Sequence, residues 1–167
     1  MSEYFNEGQR QLQENFETVP LADRLQAGII AAEINPLDAE FIEAQNMFFL
    51  ATVDDNGQVG LLFVDFNKQA RVRVNGLASI TENDPLLSHW PEAVLVIRVA
   101  VRETFPNCPR YIHKMALVEE STFVPKAQCK TPDAPWKKLE IVADVLPPKD
   151  AHLASNEQDV LAAINRN

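Results

Sequence analysis

The sequence predicts a mainly β protein with helices, a small β-barrel decorated by helices at both ends, with a mixed α+β sheet as the alternative. Three observations predict it. Apolar runs of strand length recur between positions 47 and 145 with turn residues between them. The segments before position 46 instead carry helical spacing and helix-start residues. A long apolar strand leads into Phe105-Pro106-Asn107-Cys108-Pro109-Arg110-Tyr111-Ile112-His113-Lys114. Its prolines fix φ and remove backbone donors, so the chain turns sharply out of a sheet there and holds its polar groups at a strand end.

The expected elements follow in order. Residues Phe5 to Phe16 suit a short surface helix or an arm lying on a neighbour. From Pro20 to Ala32, Leu21, Leu25, Ile29 and Ala32 recur at helical spacing, with Pro20 early in the first turn. Asn35 caps another start, with Pro36 first and Asp38 in the first turn, and this helix runs to about Gln45. Met47 to Val53 reads as a buried first strand, and Asp54-Asp55-Asn56-Gly57 is a hairpin turn. Val59 to Phe66 is apolar on both parities until Asp65, as in a central strand covered on both faces. Ala70 to Ile80 alternates: Val72 and Val74 face one way, Arg71, Arg73 and Asn75 the other, and Gly76 marks a bulge or a close backbone approach.

Glu82 to Pro91 is a short helix or loop with Leu86, Leu87 and Trp90 buried, and Ala93 to Val101 is the strongest strand. Arg98 and Arg102 fall on one face of it and need a carboxylate, a ligand or solvent. Met115 to Ser121 continues as a strand or a helical turn, and Thr122 to Trp136 has no regular structure. Leu139 to Val145 is a final strand or helix turn, and Ser155 with Gln158 starts a C-terminal helix. The expected organisation is a single domain over 1–167: N-terminal helices over 1–45, a barrel over 46–145, and a C-terminal helix over 146–167.

Composition sets further bounds. At 167 residues and 46% hydrophobic, the chain can bury one core and is short for two. Lys plus Arg number 15 against 24 Asp plus Glu, and a formal charge of -9 argues against a general nucleic-acid binder. Any anion site must be local. The first residues lack a basic and an apolar signal region, and no apolar run approaches a membrane span. The expectation is a soluble cytoplasmic protein without a membrane partner. Cys108 and Cys129 read as free thiols.

Several chemistries can be weighed from the residues. Cys108, His113, Cys129 and His152 are metal-donor types, yet their spacings match no zinc pattern. Cys108 as nucleophile with His113 as base would need a contact that a proline-bent segment does not guarantee. No GxGxxG, P-loop or GxSxG occurs. There remains a phosphorylated cofactor held by a local excess of positive charge, since Arg71, Arg73, Arg98, Arg102, Arg110 and Lys114 fall on three segments that could lie side by side. Ordinary strand-face salt bridges are the competing explanation.

Four stretches carry a resemblance: Phe41-Ile42-Glu43-Ala44 through Asp54 with Gly57; Val59-Gly60-Leu61-Leu62-Phe63 with Asp65-Phe66; Arg71-Val72-Arg73-Val74-Asn75-Gly76; and Phe105 to Lys114. With these the chain resembles the pyridoxamine 5'-phosphate oxidase-like, FMN-binding split-barrel family, and the last stretch looks like the signature of an uncharacterised branch. The resemblance implies a split β-barrel, a homodimer with FMN at the subunit interface, a small-molecule substrate, and oxidoreductase chemistry with hydride transfer through flavin N5. It places Arg71 and Lys114 near the phosphate or ribityl chain, and Asn107, Cys108, Arg110 and Tyr111 along the ring. No catalytic residue is assigned. The alternative is a non-catalytic dimeric module that holds flavin or another anion.

The resemblance departs at two places. Relatives have two further strands and a helix where Gly57-Gln58 here runs straight into Val59, a piece on the order of 40 residues. A barrel without it exposes edges and part of its core, which disfavours a stable deletion and points to a segment this sequence lacks. The late Trp and Arg features of authentic pyridoxamine phosphate oxidases are also not recognisable, since no arginine follows Trp136 until Arg166.

Overall fold

A computed structural model describes residues 4–52 and 54–155. The chain divides between Val118 and Glu119 into two compact units.

The first unit opens with three helices. In α1 (Glu7–Asn15) the Asn6 side chain accepts from the Gln9 backbone N–H while the Gln9 side chain accepts from that of Asn6, each at 2.9 Å. This reciprocal cap satisfies two backbone donors that a helix start leaves orphaned. α2 (Val19–Gly28) carries Pro20 in its first turn. α3 (Pro36–Glu43) starts at Asn35, whose side-chain oxygen accepts from the backbone N–H groups of Leu37 and Asp38, both at 2.9 Å. α1 and α3 lie where the sequence predicts them, whereas α2 ends at Gly28, short of the expected Ala32.

Strands β1 (Phe48–Thr52), β2 (Gln58–Asp65), β3 (Ala70–Ile80) and β4 (Ile97–Pro106) form one antiparallel sheet in the order β1-β2-β3-β4. Each strand pairs with its neighbours in sequence, so the sheet is a mixed-fold meander that stays open, with β1 and β4 as its edges. The turn from β1 to β2 is built by Asp54, whose carboxylate accepts from the backbone N–H groups of Asn56 and Gln58 at 3.1 Å each. Gly57 sits in the left-handed region at φ 83°, and its carbonyl accepts from the Ala78 N–H at 2.8 Å, tying the turn to β3. This turn joins β1 directly to β2 where the family resemblance implies two strands and a helix.

The core lies on the sheet face covered by α3. Phe63, Val72 and Val74 are buried, with Phe41 and Ile42 of α3, Leu61 and Val101 packed against them. On β4, Thr104 shares this face and is buried, and it exchanges two backbone hydrogen bonds with Ala31, at 2.8 and 3.0 Å. The connection between α2 and α3 thus covers part of the β4 edge.

Three expectations are corrected. β1 is not buried: all five of its residues are exposed, Phe48 by 51% and Phe49 by 49%. It has a single strand neighbour, and the helix layer packs over β2 and β3 instead. The fourth strand starts at Ile97 rather than Ala93, because β3 ends at Ile80, the partner of Ile97, and offers residues 93–96 nothing to pair with. Trp90 is 56% exposed, since the 3-10 turn Pro85–His89 before it directs Leu86 and Leu87 inward only partly.

In the second unit, short 3-10 turns at Pro135–Lys138, Glu140–Val142 and Pro148–Leu153 surround buried Leu139 and Leu153. Lys137 and Asp150 pair at 2.8 Å, and this ammonium holds the Asp150 carboxyl below the usual carboxylate range. Of Thr122 to Trp136, expected to be irregular, residues 122–134 are so apart from an isolated bridge between Lys126 and Cys129, whereas Pro135 and Trp136 open the first of these 3-10 turns. The Ser155 hydroxyl donates to the Lys138 carbonyl, and the C-terminal helix expected after it lies outside the described residues.

Candidate functional site

The end of the sheet at which β2 turns into β3 and β4 runs out gathers the first predicted site residues. Arg71 stands opposite Val64 in the β2–β3 ladder, and its carbonyl accepts from the Asn107 N–H at 3.1 Å. The chain beyond Asn107 then folds back across this end and is held at two more points. Gln69 Nε2 donates to the Ile112 carbonyl at 2.7 Å, and the Met115 N–H donates to the Phe66 carbonyl at 3.1 Å. Between them a turn closes with the Ile112 N–H on the Pro109 carbonyl at 3.1 Å, and Tyr111 takes the left-handed φ of 71°. The sharp exit expected from the prolines is therefore present, and the exit is a strap anchored to the β2–β3 turn.

Arg71 is the group of chemical interest. Its Nε is buried and has no hydrogen-bond partner. A buried donor left unpaired is costly, and more so when charged, so such an atom marks a place where an acceptor is missing. Asn107 is half-buried beside it. Cys108, Arg110, Tyr111 and Lys114 lie on the strap with exposed side chains. The structure thus brings Arg71 and Asn107 together and leaves the other four predicted residues on the surface of one segment.

A groove of about 510 Å³ opens next to this strand end, walled by Met47, Val64, Phe66, Asn67, Met115 and Leu117 among others. Val64, the ladder partner of Arg71, connects it to the arginine. None of the six predicted site residues lines it.

The proposed cluster of positive charge divides in two. Arg98 and Arg102 have partners within the fold: Arg98 forks onto Asp84, and Arg102 Nη1 donates to Gln58 Oε1 at 3.3 Å. The side chains of Arg71, Arg73, Arg110 and Lys114 have no hydrogen-bond or ion-pair partner among the described residues. Hydrogen bonds from Arg98 and from the Leu86 N–H hold the Asp84 carboxyl below its ordinary range, and the same pairing raises Arg98. The Asp84 partnership had one signal in the sequence, Asn83-Asp84-Pro85 as a turn-initiating run, but Glu92 is the carboxylate nearer the strand, so the choice between them was not legible. Both cysteines are free and exposed, and no group of three or more His, Cys, Asp or Glu able to hold a metal ion occurs among the described residues. No helix among the described residues is long and apolar enough to cross a membrane.

No family model matches the chain, and no curated protein or solved structure matches it.

Proposed function

We propose that the chain binds FMN as a split-barrel protein of the pyridoxamine 5'-phosphate oxidase-like kind and works as an oxidoreductase on a small molecule. The observation that carries this reading is the buried, unpartnered Nε of Arg71 beside Asn107, at the foot of the strap that bears the resemblance. An anionic oxygen is the acceptor such a donor lacks, so the residues present fit a phosphorylated cofactor. Arg71, with Lys114, would hold the phosphate or ribityl chain, and Asn107, Cys108, Arg110 and Tyr111 would line the ring. When bound, FMN supplies hydride acceptance and donation at N5. The chain's own residues would bind and orient it.

A homodimer belongs to this reading. Met47, Phe48, Phe49 and Leu50 are each about half exposed, and a run of large apolar side chains on an uncovered edge strand is the kind of surface a second copy buries. A second reading, a non-catalytic holder of flavin or another anion, draws support from the exposure of Cys108, Arg110, Tyr111 and Lys114, which leaves that side open to solvent.

Titration of the purified protein with FMN, followed by flavin fluorescence, tests the proposal. Saturable quenching is the expected result, and bleaching of the bound flavin by NAD(P)H separates the oxidoreductase from the holder. A protein that takes up no FMN sinks both flavin readings.

A further inference from the structure

One irregularity in β4 sets two opposite charges on a single groove. Consecutive residues of a strand normally face opposite sides of the sheet. Arg102 and Glu103 are consecutive, yet both line one groove of about 510 Å³, together with Tyr4, Phe5, Gln58 and Asn75. The register explains how. Asn75 pairs with Glu103, but Gly76 pairs with Val101, so Arg102 is the extra residue of a β-bulge. A bulge shifts the phase of the residues beyond it, and here it brings Glu103 to the face on which Arg102 already lies. Gly76 permits the close approach this requires, since a Cβ at that position would fall 2.3 Å from the Ala100 carbonyl oxygen.

The two charged groups are partly engaged and partly free. Arg102 uses Nη1 on Gln58 Oε1 at 3.3 Å, and its remaining N–H donors have no partner among the described residues. Glu103 Oε1 accepts from Asn75 Nδ2 at 2.6 Å, which orients the carboxylate, while Oε2 has no partner among the described residues. Arg102 and Glu103 form no ion pair with each other, so each keeps hydrogen-bonding capacity for a third party. The Phe5 ring adds an apolar wall, steadied by the Arg10 guanidinium stacked 4.8 Å from its centroid.

We propose that this groove binds a small zwitterion of the α-amino acid class, with its carboxylate on Arg102, its ammonium on Glu103 and its side chain toward Phe5. A ligand bearing only an anion would meet the Glu103 carboxylate, and one bearing only a cation would meet the Arg102 guanidinium. A molecule carrying both satisfies both. The site stands apart from the Arg71 strand end and does not depend on flavin binding.

The test follows backbone amide shifts of the isotope-labelled full chain during titration with L-phenylalanine and with its half-molecules, phenethylamine and 3-phenylpropionate. The expected result is saturable shifts at Gln58, Asn75, Gly76, Arg102 and Glu103 with L-phenylalanine, and binding weaker by about tenfold or more for each half-molecule. Arg102→Gln and Glu103→Gln should each weaken L-phenylalanine binding by a similar factor, with Arg102→Lys intermediate. The amide spectrum of each variant reports whether it is folded. The proposal is overturned if no shifts appear at millimolar ligand, if they map elsewhere, or if a half-molecule binds as tightly as the whole. If only one of the two Gln substitutions weakens L-phenylalanine binding, the site holds only one of its two charged groups and the zwitterion assignment fails.

Discussion

Arg98 grips Asp84 at two points: Nε donates to Oδ2 at 2.6 Å and Nη2 to Oδ1 at 3.0 Å. Asp84 also caps the 3-10 turn that follows it, accepting from the Leu86 N–H at 2.9 Å. One buried carboxylate therefore fixes both the turn and its position against β4. The depressed pKa of Asp84 gives the sign of its pH dependence. Stability from the pair is fully present above the ordinary carboxylate value of 3.8 and is lost as pH falls through the lower folded-state value. Asp84→Asn should lower the thermal midpoint at neutral pH, and the gap from the parent should close on acidification. Thermal melts across pH check it, and a gap that widens in acid refutes the assignment.

Gly76→Ala should destabilise the protein by about 2 kcal/mol or more, because the added Cβ would fall 2.3 Å from the Ala100 carbonyl oxygen and 2.7 Å from Val99 Cγ1. Denaturant unfolding measures this, and amide shifts along β4 should report loss of the bulge at Arg102.

Thr104 is the most deeply buried side chain, 1% exposed, and its hydroxyl has no hydrogen-bond partner. Thr104→Val keeps the shape and removes the unpaired polar group, so it should be neutral or stabilise by up to about 1 kcal/mol. A clear loss of stability in the same unfolding experiment would show that the hydroxyl is bonded.

Arg71→Gln should weaken FMN binding by about tenfold or more while leaving the melting temperature nearly unchanged, since no other residue depends on this guanidinium for a bond. Fluorescence titration against the parent, with a thermal melt as control, separates lost binding from lost fold.

Leu50→Lys places a charge at the centre of β1, where edge strands use charge to resist pairing. If β1 is the dimer contact, sedimentation should shift from twice the 18.7 kDa chain mass to the single-chain mass. A variant that stays dimeric removes β1 from the interface.

What the sequence disclosed was local. Asn35, Pro36 and Asp38 identify the start of α3 because capping is settled within one turn, and Asp54 to Gly57 identify the hairpin for the same reason. The alternation of Val72 and Val74 against Arg71 and Arg73 also survives intact, as does the reading of Gly76. What it concealed depends on more distant partners. Whether Phe48 and Phe49 are covered is decided by where α3 packs, not by their own apolarity. The parity that puts Arg102 with Arg98 holds up to the bulge, but it misplaces Glu103, because the extra residue shifts the phase of everything beyond Arg102. At the candidate site, the strap was legible from its prolines, while the isolation of Arg71 Nε depends on which carboxylates the fold gives to other arginines.

Because every strand pairs with the next one along the chain, the sheet can assemble by successive hairpins, with no distant segment to wait for. The connections from β1 to β2 and from β2 to β3 are tight turns, whereas Ile80 and Ile97 are joined by the longest of the three. Closing that connection carries the largest loop entropy of the three. The fork between Asp84 and Arg98 spans this connection and shortens the length of chain left to search.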